Sequence, residues 1–375
     1  MTSRLIVNSI RHTGGSADAV TLASDGTCTA NITNNLSNRN LIINGDMRIA
    51  QRGTSSTSSS FQTVDRFAYD RNNTGAATQS QVADAPEGFK YSYKIDCTTA
   101  ETSPAANVYN LISQKFEGQN LQHIKKGTSN AQSLTASFYV KGNAAATYTC
   151  ELRDQDNTRF NSQTFNVTTS WSRVTLTFAP DTTGAFDSDN NLSLYLFFWL
   201  SSGSDYSSGT FSSNTWHTTD ANRIGDGQTN FFDSTDRTFF LTGVQLEVGS
   251  VATDFEHLSF ADELRRCQRY YFKTFDYSVA PAQNTSNYNG SLAGGASVTN
   301  VSFAATQVFP VAMRAAPTVT TFSPDDSSSE WSLQGGKTPT AQAFSQGMTS
   351  VTIRGVTNTS NGGLHRIHIQ AVSEL

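Results

Sequence analysis

The chain carries few charged side chains for its length. Only 15% of its 375 residues are Asp, Glu, Lys or Arg, against about 25% in typical soluble proteins. Its net charge of −5 supplies no basic stripe that could follow a phosphate backbone, so we expect no nucleic-acid partner. Ser, Thr, Asn and Gly take the place of the missing charges, and the aromatic share is 11%. Such a composition is typical of β-rich extracellular or virion proteins.

Cysteines, long apolar runs and enzyme motifs are also scarce. The four cysteines lack CxxC spacing, which predicts buried free thiols rather than a disulfide framework or a zinc site. The longest apolar run, Leu194–Leu200, is too short to span a membrane, and no basic-then-apolar leader is visible, so we expect no membrane insertion and no secretory signal. Because no G-x-S-x-G, P-loop, H-E-x-x-H or dinucleotide fingerprint occurs, we predict no catalytic residues and no cofactor.

A strand is predicted at residues 238–248, in the stretch around which the rest of the chain is organised. Apolar and polar residues alternate there with a period of two, which indicates a β-strand with one packed face. Gly249-Ser250 ends the pattern. One predicted face consists of Phe240, Thr242, Val244, Leu246 and Val248, and the other of Phe239, Leu241, Gly243, Gln245 and Glu247.

A short helix is predicted directly after this strand. Ser259 is a suitable N-cap, and Asp262 and Glu263 fall in the first turn, where the helix dipole favours anions. The expected apolar stripe is Phe260, Leu264, Cys267 and Tyr271. The charged cluster on the helix either faces solvent or pairs between subunits around a threefold axis; its members are Glu263, Arg265, Arg266 and Arg269.

Between residues 40 and 250, short alternating segments are separated by connections rich in Gly, Asn, Asp and Ser. This spacing, without a long helical period, indicates an antiparallel sandwich rather than a βαβ fold. In the segment Leu192–Leu200 the even-numbered residues form one apolar face that must be core. The opposite face carries Tyr195, Phe197 and Trp199, and these need a cover: a loop, another subunit or a sugar.

The two ends of the chain differ from this central part. Residues 1–38 are polar, with β-like runs at Leu5–Ile10 and Ala19–Leu22; they form either a disordered tail or a segment ordered against partners, and we favour the second. From Tyr277 the chain is rich in Asn, Ser, Gly and Ala, and β-like segments such as Val298–Phe303 and His365–Ala371 follow. No internal repeat is evident, which argues against a propeller or a β-helix.

Two groups of residues flank the central part: NLIINGDMRIAQRG with VDRF, and VQLEVGSVATDFEHLSFADELRRCQRYY. They resemble the opening and closing signatures of a jelly-roll, carbohydrate-binding-like domain of tailed-bacteriophage tail fibres, over roughly residues 40–272. The resemblance implies an all-β chain: an antiparallel jelly-roll sandwich with a short helix after its last strand, a small β-rich C-terminal domain and an extended N-terminal anchor. The expected domains are a virion-anchoring segment (1–38), the jelly roll (39–258), a helical connector (259–276) and a β-rich tip (277–375).

Several aromatic residues are candidates for ligand binding. A sugar stacks its C–H face on an aromatic ring while amides and carboxylates bind its hydroxyl groups. Trp331 follows a run of Ser and Asp, and we expect it to be the most exposed aromatic residue. The alternative is that these rings pack against another subunit or a covering loop. The candidates are Tyr195, Trp199, Tyr206, Trp216 and Trp331, with Phe197 and His217 beside them.

We predict no metal site. Asp154–Asn157 and Asp187–Asn191 begin like calcium loops, but the second lacks the glycine and the final carboxylate of an EF-hand. Jelly rolls of this kind often hold a structural calcium where their first and last strands meet, and Asp46 and Glu247 are the carboxylates near those places. We interpret both as structural surface carboxylates rather than ligands.

The predicted function is adhesion by a virion tail-fibre protein of a tailed phage, folded in the host cytoplasm and mounted in the virion tail. The resemblance implies a homotrimer, contact with other virion tail proteins through the N-terminus, and binding to host surface polysaccharide or lipopolysaccharide. A purely structural virion connector or decoration protein is the alternative. A third hypothesis is the sugar-binding accessory of a polysaccharide depolymerase; sequence spacing alone pairs no catalytic carboxylates.

Overall fold

Antiparallel β-structure dominates the protein, as the sequence predicts. The computed structural model describes residues 7–11, 13–15, 18–22, 24, 28–30, 38–72, 74–296, 302–326, 328–333, 340–356 and 363–375. The predicted all-β fold class is confirmed, with an antiparallel jelly-roll sandwich, a short helix after its last strand and further strands beyond it.

A small three-stranded antiparallel sheet lies in the N-terminal segment. Its strands pair in the order β1-β2-β3, so both predicted β-like runs contribute a strand, while Leu5 and Ile6 lie outside the described residues. The strands are β1 (Ser9–Ile10), β2 (Val20–Leu22) and β3 (Cys28–Ala30).

The central sandwich consists of two antiparallel sheets. One has five strands in the order β11-β10-β13-β8-β5, and the other has six in the order β12-β9-β14-β7-β6-β4. The strands are β4 (Ser55–Ser56), β5 (Ala68–Arg71), β6 (Ala76–Val82), β7 (Ser92–Thr99), β8 (Tyr109–Glu117), β9 (Leu134–Gly142), β10 (Ala146–Asp154), β11 (Arg159–Val167), β12 (Ser172–Phe178), β13 (Leu192–Ser202) and β14 (Thr238–Val248). Short helical segments lie at Gly118–Asn120, Gln122–Ile124, α1 (Ser204–Ser207), Asp220–Asn222 and Phe231–Asp233.

The inner faces of the two sheets form the main core. As predicted for β13, Leu194, Leu196, Phe198 and Leu200 are fully buried. Phe198 meets Phe138 of the opposite sheet edge-on, with ring centroids 4.9 Å apart. Leu192 is only half-buried, because the pairing with β8 shifts register between it and Leu194.

Strand β14 changes face halfway along, so the prediction that each alternating set keeps one face over the whole strand is wrong. Phe239 and Leu241 point into the core in its first half, whereas Val244 and Leu246 do so further on. The register with β9 shifts between Thr242 and Gln245, the signature of a β-bulge. Gly243 has φ +60°, and a Cβ atom there would lie 2.8 Å from the Phe89 ring. Only glycine fits this position, since it adopts positive φ without steric cost.

The predicted helix forms as α2 (Phe260–Gln268), and the Ser259 hydroxyl accepts a hydrogen bond from the backbone N–H of Asp262 as expected of an N-cap. The predicted apolar stripe is wrong at both ends. Phe260 is 45% exposed, whereas Cys267 is buried. Tyr271 lies beyond the helix in the next strand, because the helix ends one turn before it.

Two charged side chains of α2, Glu263 and Arg266, have partners in the opening residues of the jelly roll. Glu263 accepts a hydrogen bond from the backbone N–H of Asn44 at 2.5 Å, and Arg266 donates to the carbonyl of Asn40 at 3.3 Å. Burial raises the pKa of the Glu263 carboxyl, against the lowering effect of that backbone N–H. These contacts dock α2 on the opening residues of the jelly roll and use charges that we had considered for pairing between subunits.

A second β unit follows α2. Its longest strand, β22, pairs with β15, β16, β18 and β19, and a separate sheet has the order β17-β21-β20. Strand β15 lies within the predicted connector 259–276, so this sheet begins before residue 277. Val298–Val301 of a predicted strand lie outside the described residues. The strands are β15 (Tyr271–Lys273), β16 (Leu292–Ala296), β17 (Ser302–Val308), β18 (Thr318–Phe322), β19 (Ser332–Leu333), β20 (Gln342–Gln346), β21 (Ser350–Val356) and β22 (Gly363–Val372).

Ion pairs join the two β units. Glu117, fully buried at the end of β8, accepts hydrogen bonds from Arg269 at 2.7 and 2.6 Å and from the Tyr270 hydroxyl at 2.5 Å. On the ring of the same Tyr270 lies the Arg66 guanidinium, 3.5 Å from the ring centroid, and Arg66 pairs with Glu374. Burial alone would raise the pKa of Glu117, but the hydrogen bonds from Arg269 and Tyr270 outweigh it and hold that pKa below its ordinary value.

Replacing Glu117 with Gln is expected to remove a stabilisation that depends on pH. The lowered pKa of the folded carboxyl means that its contribution is fully present above its ordinary pKa of 4.5 and decreases as the pH falls through the folded value. The variant should lose about 1.5–3 kcal/mol at pH 7, the range for hydrogen bonds to charged groups. Urea titrations at several pH values between 7 and 3 measure the difference, and a difference that stays constant with pH would contradict the assignment.

The cysteines in the described core are reduced thiols, as predicted. Cys97, Cys150 and Cys267 are free and buried. Burial raises the pKa of each of these thiols, most strongly for Cys150 and Cys267. Their protonated form dominates at neutral pH, so they behave as small apolar side chains in the core.

Candidate functional site

The outer face of the five-stranded sheet carries the aromatic row that the sequence predicts. Antiparallel pairing sets Tyr195 of β13 directly between Lys115 of β8 and Arg153 of β10. Two rows further along the same face, Trp199 lies opposite Leu111 of β8. One side of the sheet therefore alternates aromatic rings with cationic and apolar neighbours, and every one of these side chains is fixed by strand register.

The rings of this row contact one another in sequence. Tyr195 and Phe197 stack with centroids 4.7 Å apart and an interplanar angle of 28°. Phe197 then meets Trp199 at 6.0 Å, and Trp199 meets Tyr206 at 5.1 Å. Phe197 is 5% exposed and Trp199 is 2% exposed, whereas Tyr195 is only half-buried. Tyr206 is half-buried as well, but it belongs to α1 rather than to the sheet, so Tyr195 is the accessible ring of the sheet itself.

Residues 203–224, which we call the cover segment, close the other end of the row. Arg223 of this segment donates two hydrogen bonds to the carboxylate of Glu151 beneath it, at 2.9 and 2.7 Å. Its guanidinium also lies 4.9 Å from the ring centroid of Trp199. The chain thus supplies its own cover for Trp199, which was one of the alternatives considered from the sequence.

A groove of about 230 Å³ remains between the cover segment and the open part of the sheet. Aromatic and charged side chains line it together. Its lining residues are Asp70, Tyr109, Leu111, Lys115, Arg153, Tyr195, Phe197, Trp199, Tyr206 and Arg223.

The charged groups beside the groove influence one another. Burial lowers the pKa of the Lys115 ammonium, and the negative charges of Asp70 and Glu374 oppose this shift. Burial likewise raises the pKa of the Asp70 carboxyl, against the effect of Lys115. Lys115 also donates a hydrogen bond to a main-chain oxygen of Leu375 at 2.5 Å. Lys115 is therefore surrounded by acceptors of this chain.

The predicted site residues separate into two groups. Tyr195, Trp199 and Tyr206 come together in the groove, with Phe197 between the first two. Trp216 lies elsewhere: it packs on the main core, and its indole N–H donates to the carbonyl of Ala179 at 2.7 Å. Its neighbour His217 contacts Phe160 at 5.8 Å and does not line the groove.

The expectation that Trp331 is exposed is wrong. This side chain is 0% exposed and lies at the centre of the second β unit. It packs on Phe303 with ring centroids 4.9 Å apart, and its indole N–H donates to the carbonyl of Arg354 at 3.3 Å. The surrounding Ser and Asp residues mark the end of a loop, but the ring itself turns inward to fill the core.

Sequence reasoning missed Asp70, Lys115 and Arg153 as groove residues. Lys115 and Arg153 belong to β8 and β10, for which no individual alternating segment is predicted from the sequence, and Asp70 lies on the edge strand β5. Their positions beside Tyr195 and Leu111 follow from strand order and register. A single sequence provides neither of these, so no local signal marks these residues.

The ammonium group of Lys126 lies beside Asp154, the first residue of one of the two segments that begin like calcium loops. Lys126 Nζ lies 2.5 Å from a carboxylate oxygen of Asp154 and 3.1 Å from one of Asp181. It also donates to the carbonyls of Thr183 and Gly184 at 2.8 and 2.7 Å. The ammonium group thus balances the buried carboxylate of Asp154 and shares Asp181 with Arg159, which donates to that carboxylate at 2.7 and 3.1 Å.

The expectation that Asp46 and Glu247 are surface carboxylates is wrong, because both are buried and contact protein groups. Asp46 pairs with Arg48, and Glu247 accepts hydrogen bonds from the Gln245 side chain and the Thr253 backbone N–H, both at 2.9 Å. Among the residues that the structure describes, no group of three or more His, Cys, Asp or Glu side chains is placed to hold a metal ion. Within the same residues, no helix has the length and hydropathy needed to cross a lipid bilayer.

Comparisons with known proteins find similarity only among solved structures. No protein-family model matches the chain, and no curated protein matches it. A structure described as "CBM4 structure and function" is 12% identical over 55% of this chain and 97% of that chain, with a TM-score of 0.29. The family 11 carbohydrate-binding module of a Clostridium thermocellum cellulosomal cellulase is 11% identical over 54% and 98%, with a TM-score of 0.27.

The enzymatically active domain of tailspike protein 4 from bacteriophage CBA120 is also similar. It is 11% identical, with a TM-score of 0.29, over 56% of this chain but only 21% of that chain. Similarity at this level transfers neither a ligand nor an activity to the present chain.

Proposed function

We propose that the groove at Tyr195 binds a carbohydrate and that the chain acts as an adhesin. The observation that supports this most directly is a half-exposed ring, stacked on Phe197 and flanked by the polar groups of Lys115 and Arg153. Sugar rings stack on such a platform, and their hydroxyl groups bind adjacent charged and polar side chains. The cover segment holds the inner rings rigid, so little conformational entropy is lost when a ligand binds.

Binding without catalysis is the proposed mode of action. Asp70 is the only carboxylate among the described residues that line the groove, whereas glycoside hydrolysis usually needs two. Glu151, the cross-strand partner of Phe197, lies on the same sheet face but is covered and bound by Arg223 and does not line the groove. The groove therefore suits a binding module better than a depolymerase.

The biological setting is the finer part of the proposal. The resemblance of the sequence to tail-fibre modules supports a virion tail fibre of a tailed phage that adheres to host surface polysaccharide or lipopolysaccharide. In this setting residues 1–38 anchor the chain to other virion tail proteins, and three chains associate into a homotrimer. Several weak sites on one particle then bind the host surface through avidity. A protein that neither binds susceptible cells nor competes with virions for adsorption would contradict this role and leave the structural connector as the better hypothesis.

Replacing Tyr195 with Ala is expected to weaken glycan binding by roughly ten- to a hundredfold, because the exposed stacking platform is lost. Titration calorimetry with a polysaccharide selected on a glycan array measures the change. The matched control is Trp171→Ala, since Trp171 is a partly exposed ring next to β12 in the other sheet. Equal binding by the Tyr195 variant and the wild type would show that the ligand lies elsewhere.

A further inference from the structure

We propose that the sugar bound at Tyr195 is acidic and that the Arg153 guanidinium binds its negatively charged group. This inference rests on the proposed carbohydrate-binding function and specifies the class of ligand. The charged group is a singly charged oxyanion on the sugar, either the carboxylate of an acidic sugar or a sulfate ester. Both present two oxygens to the planar fork of an arginine.

The position of Arg153 places it beside any ring stacked on Tyr195. The two residues are direct cross-strand partners, and the guanidinium carbon lies 5.3 Å from the Tyr195 ring centroid. On its other side the same carbon lies 6.0 Å from the Phe160 ring centroid. Aromatic rings rather than carboxylates therefore hold the guanidinium at the groove.

Of the three cations that line the groove, Arg153 is the one for which the described part of the structure provides no ionic partner. Among the described residues it forms no ion pair and no side-chain hydrogen bond, and its Nε is buried without a partner. Arg223, by contrast, is bound to Glu151 and Asp220. Lys115 faces Asp70 and Glu374 and donates to Leu375. An arriving anion thus gains its charge-assisted hydrogen bonds at Arg153.

The balance of charge explains why an acidic sugar is favoured over a neutral one. A partly buried guanidinium without an anion has lost hydration without receiving a compensating ion pair. A singly charged oxyanion matches the single uncompensated cation. A neutral sugar would stack on Tyr195 equally well, but it would leave the positive charge of the Arg153 guanidinium without a partner.

The test compares matched polysaccharides with the full chain. A panel of bacterial surface polysaccharides is presented in native form and after chemical reduction of its carboxyl groups to alcohols, together with dextran and dextran sulfate. We expect wild-type protein to bind at least one acidic polymer about ten- to a hundredfold more tightly than its uncharged counterpart. Preference for a native polymer over its reduced form identifies a carboxylate, and preference for dextran sulfate over dextran identifies a sulfate ester.

Variants assign the preference to Arg153. Arg153→Gln should lose most of the discrimination while retaining its affinity for uncharged polymers, and Arg153→Lys should restore part of it, because the charge returns without the fork. The control is Arg173→Gln, an exposed arginine on β12 of the opposite sheet. Raising the salt concentration should weaken wild-type binding to acidic polymers and leave Arg153→Gln nearly unaffected.

The possible failures can be told apart. Equal binding of charged and uncharged polymers, abolished by Tyr195→Ala, would overturn the acidic ligand and leave the carbohydrate-binding function standing. Discrimination that survives in Arg153→Gln would overturn the role of Arg153. A wild-type protein that binds no member of the panel would overturn both proposals.

Discussion

Replacing Arg223 with Met is expected to destabilise the jelly roll by about 3–5 kcal/mol, the range measured when one partner of a buried ion pair is removed. Glu151 is fully buried and receives two of its hydrogen bonds from Arg223 and one from Ser162. Without the guanidinium, a buried carboxylate remains on the sheet beside Phe197 with a single neutral donor. Urea unfolding at pH 7 measures the loss.

Two further variants test the physical reason. Arg223→Met combined with Glu151→Gln should recover much of the lost stability, because it removes the orphaned charge together with its partner. Arg237→Met breaks a more exposed ion pair with Asp233 and should cost at most about 1 kcal/mol. A cost below 1 kcal/mol for Arg223→Met would show that the cover segment is held by packing alone.

Replacing Trp331 with Ala is expected to destabilise the second β unit by about 3–5 kcal/mol, as is usual for a large buried aromatic residue. The ring fills the space between Phe303 and the backbone of Gly355, where a Cβ atom would lie 2.8 Å from the indole. Thermal unfolding followed by circular dichroism measures the loss. Glycan binding measured below the transition should remain unchanged, because Trp331 does not line the groove.

The variant Trp331→Phe tests whether Trp331 acts by packing in the core or by contacting the ligand. Phenylalanine retains most of the apolar contact and should recover part of the stability. If Trp331→Ala instead abolished glycan binding while the protein remained folded, the ligand would contact the second unit and the groove would not be the site.

The sequence identified the aromatic row because alternation with period two assigns the faces of a strand without knowledge of its neighbours. Leu194 and Leu196 were recognisable as core, and Tyr195 and Trp199 therefore belonged to the opposite face. The same pattern does not predict which residues lie beside Tyr195. Arg153 is 42 positions away in the chain and becomes a neighbour only through the register of β10 and β13. A local sequence pattern does not determine which distant strands pair.

Two wrong expectations have a similar origin. For β14, regular alternation was extended across Gly243, although a bulge at a glycine exchanges the faces of the strand. For Trp331, the polar neighbours in the sequence predict exposure. Whether a side chain is buried depends instead on the apolar residues that pack around it in the fold. Both errors come from treating a local property as if tertiary packing could not override it.

The three buried thiols can report local unfolding of the regions that bury them. A thiol-specific reagent reacts only with a cysteine that becomes exposed and deprotonated, so each modification records a transient fluctuation of its surroundings. Cys150 reports on the interior of the sandwich and Cys267 on the seam between the two β units, while the chain has no cysteine after Cys267. Mass spectrometry of partially labelled protein would therefore give separate labelling rates for Cys267 and Cys150. The first measures separation of the two β units, and the second measures unfolding of the sandwich.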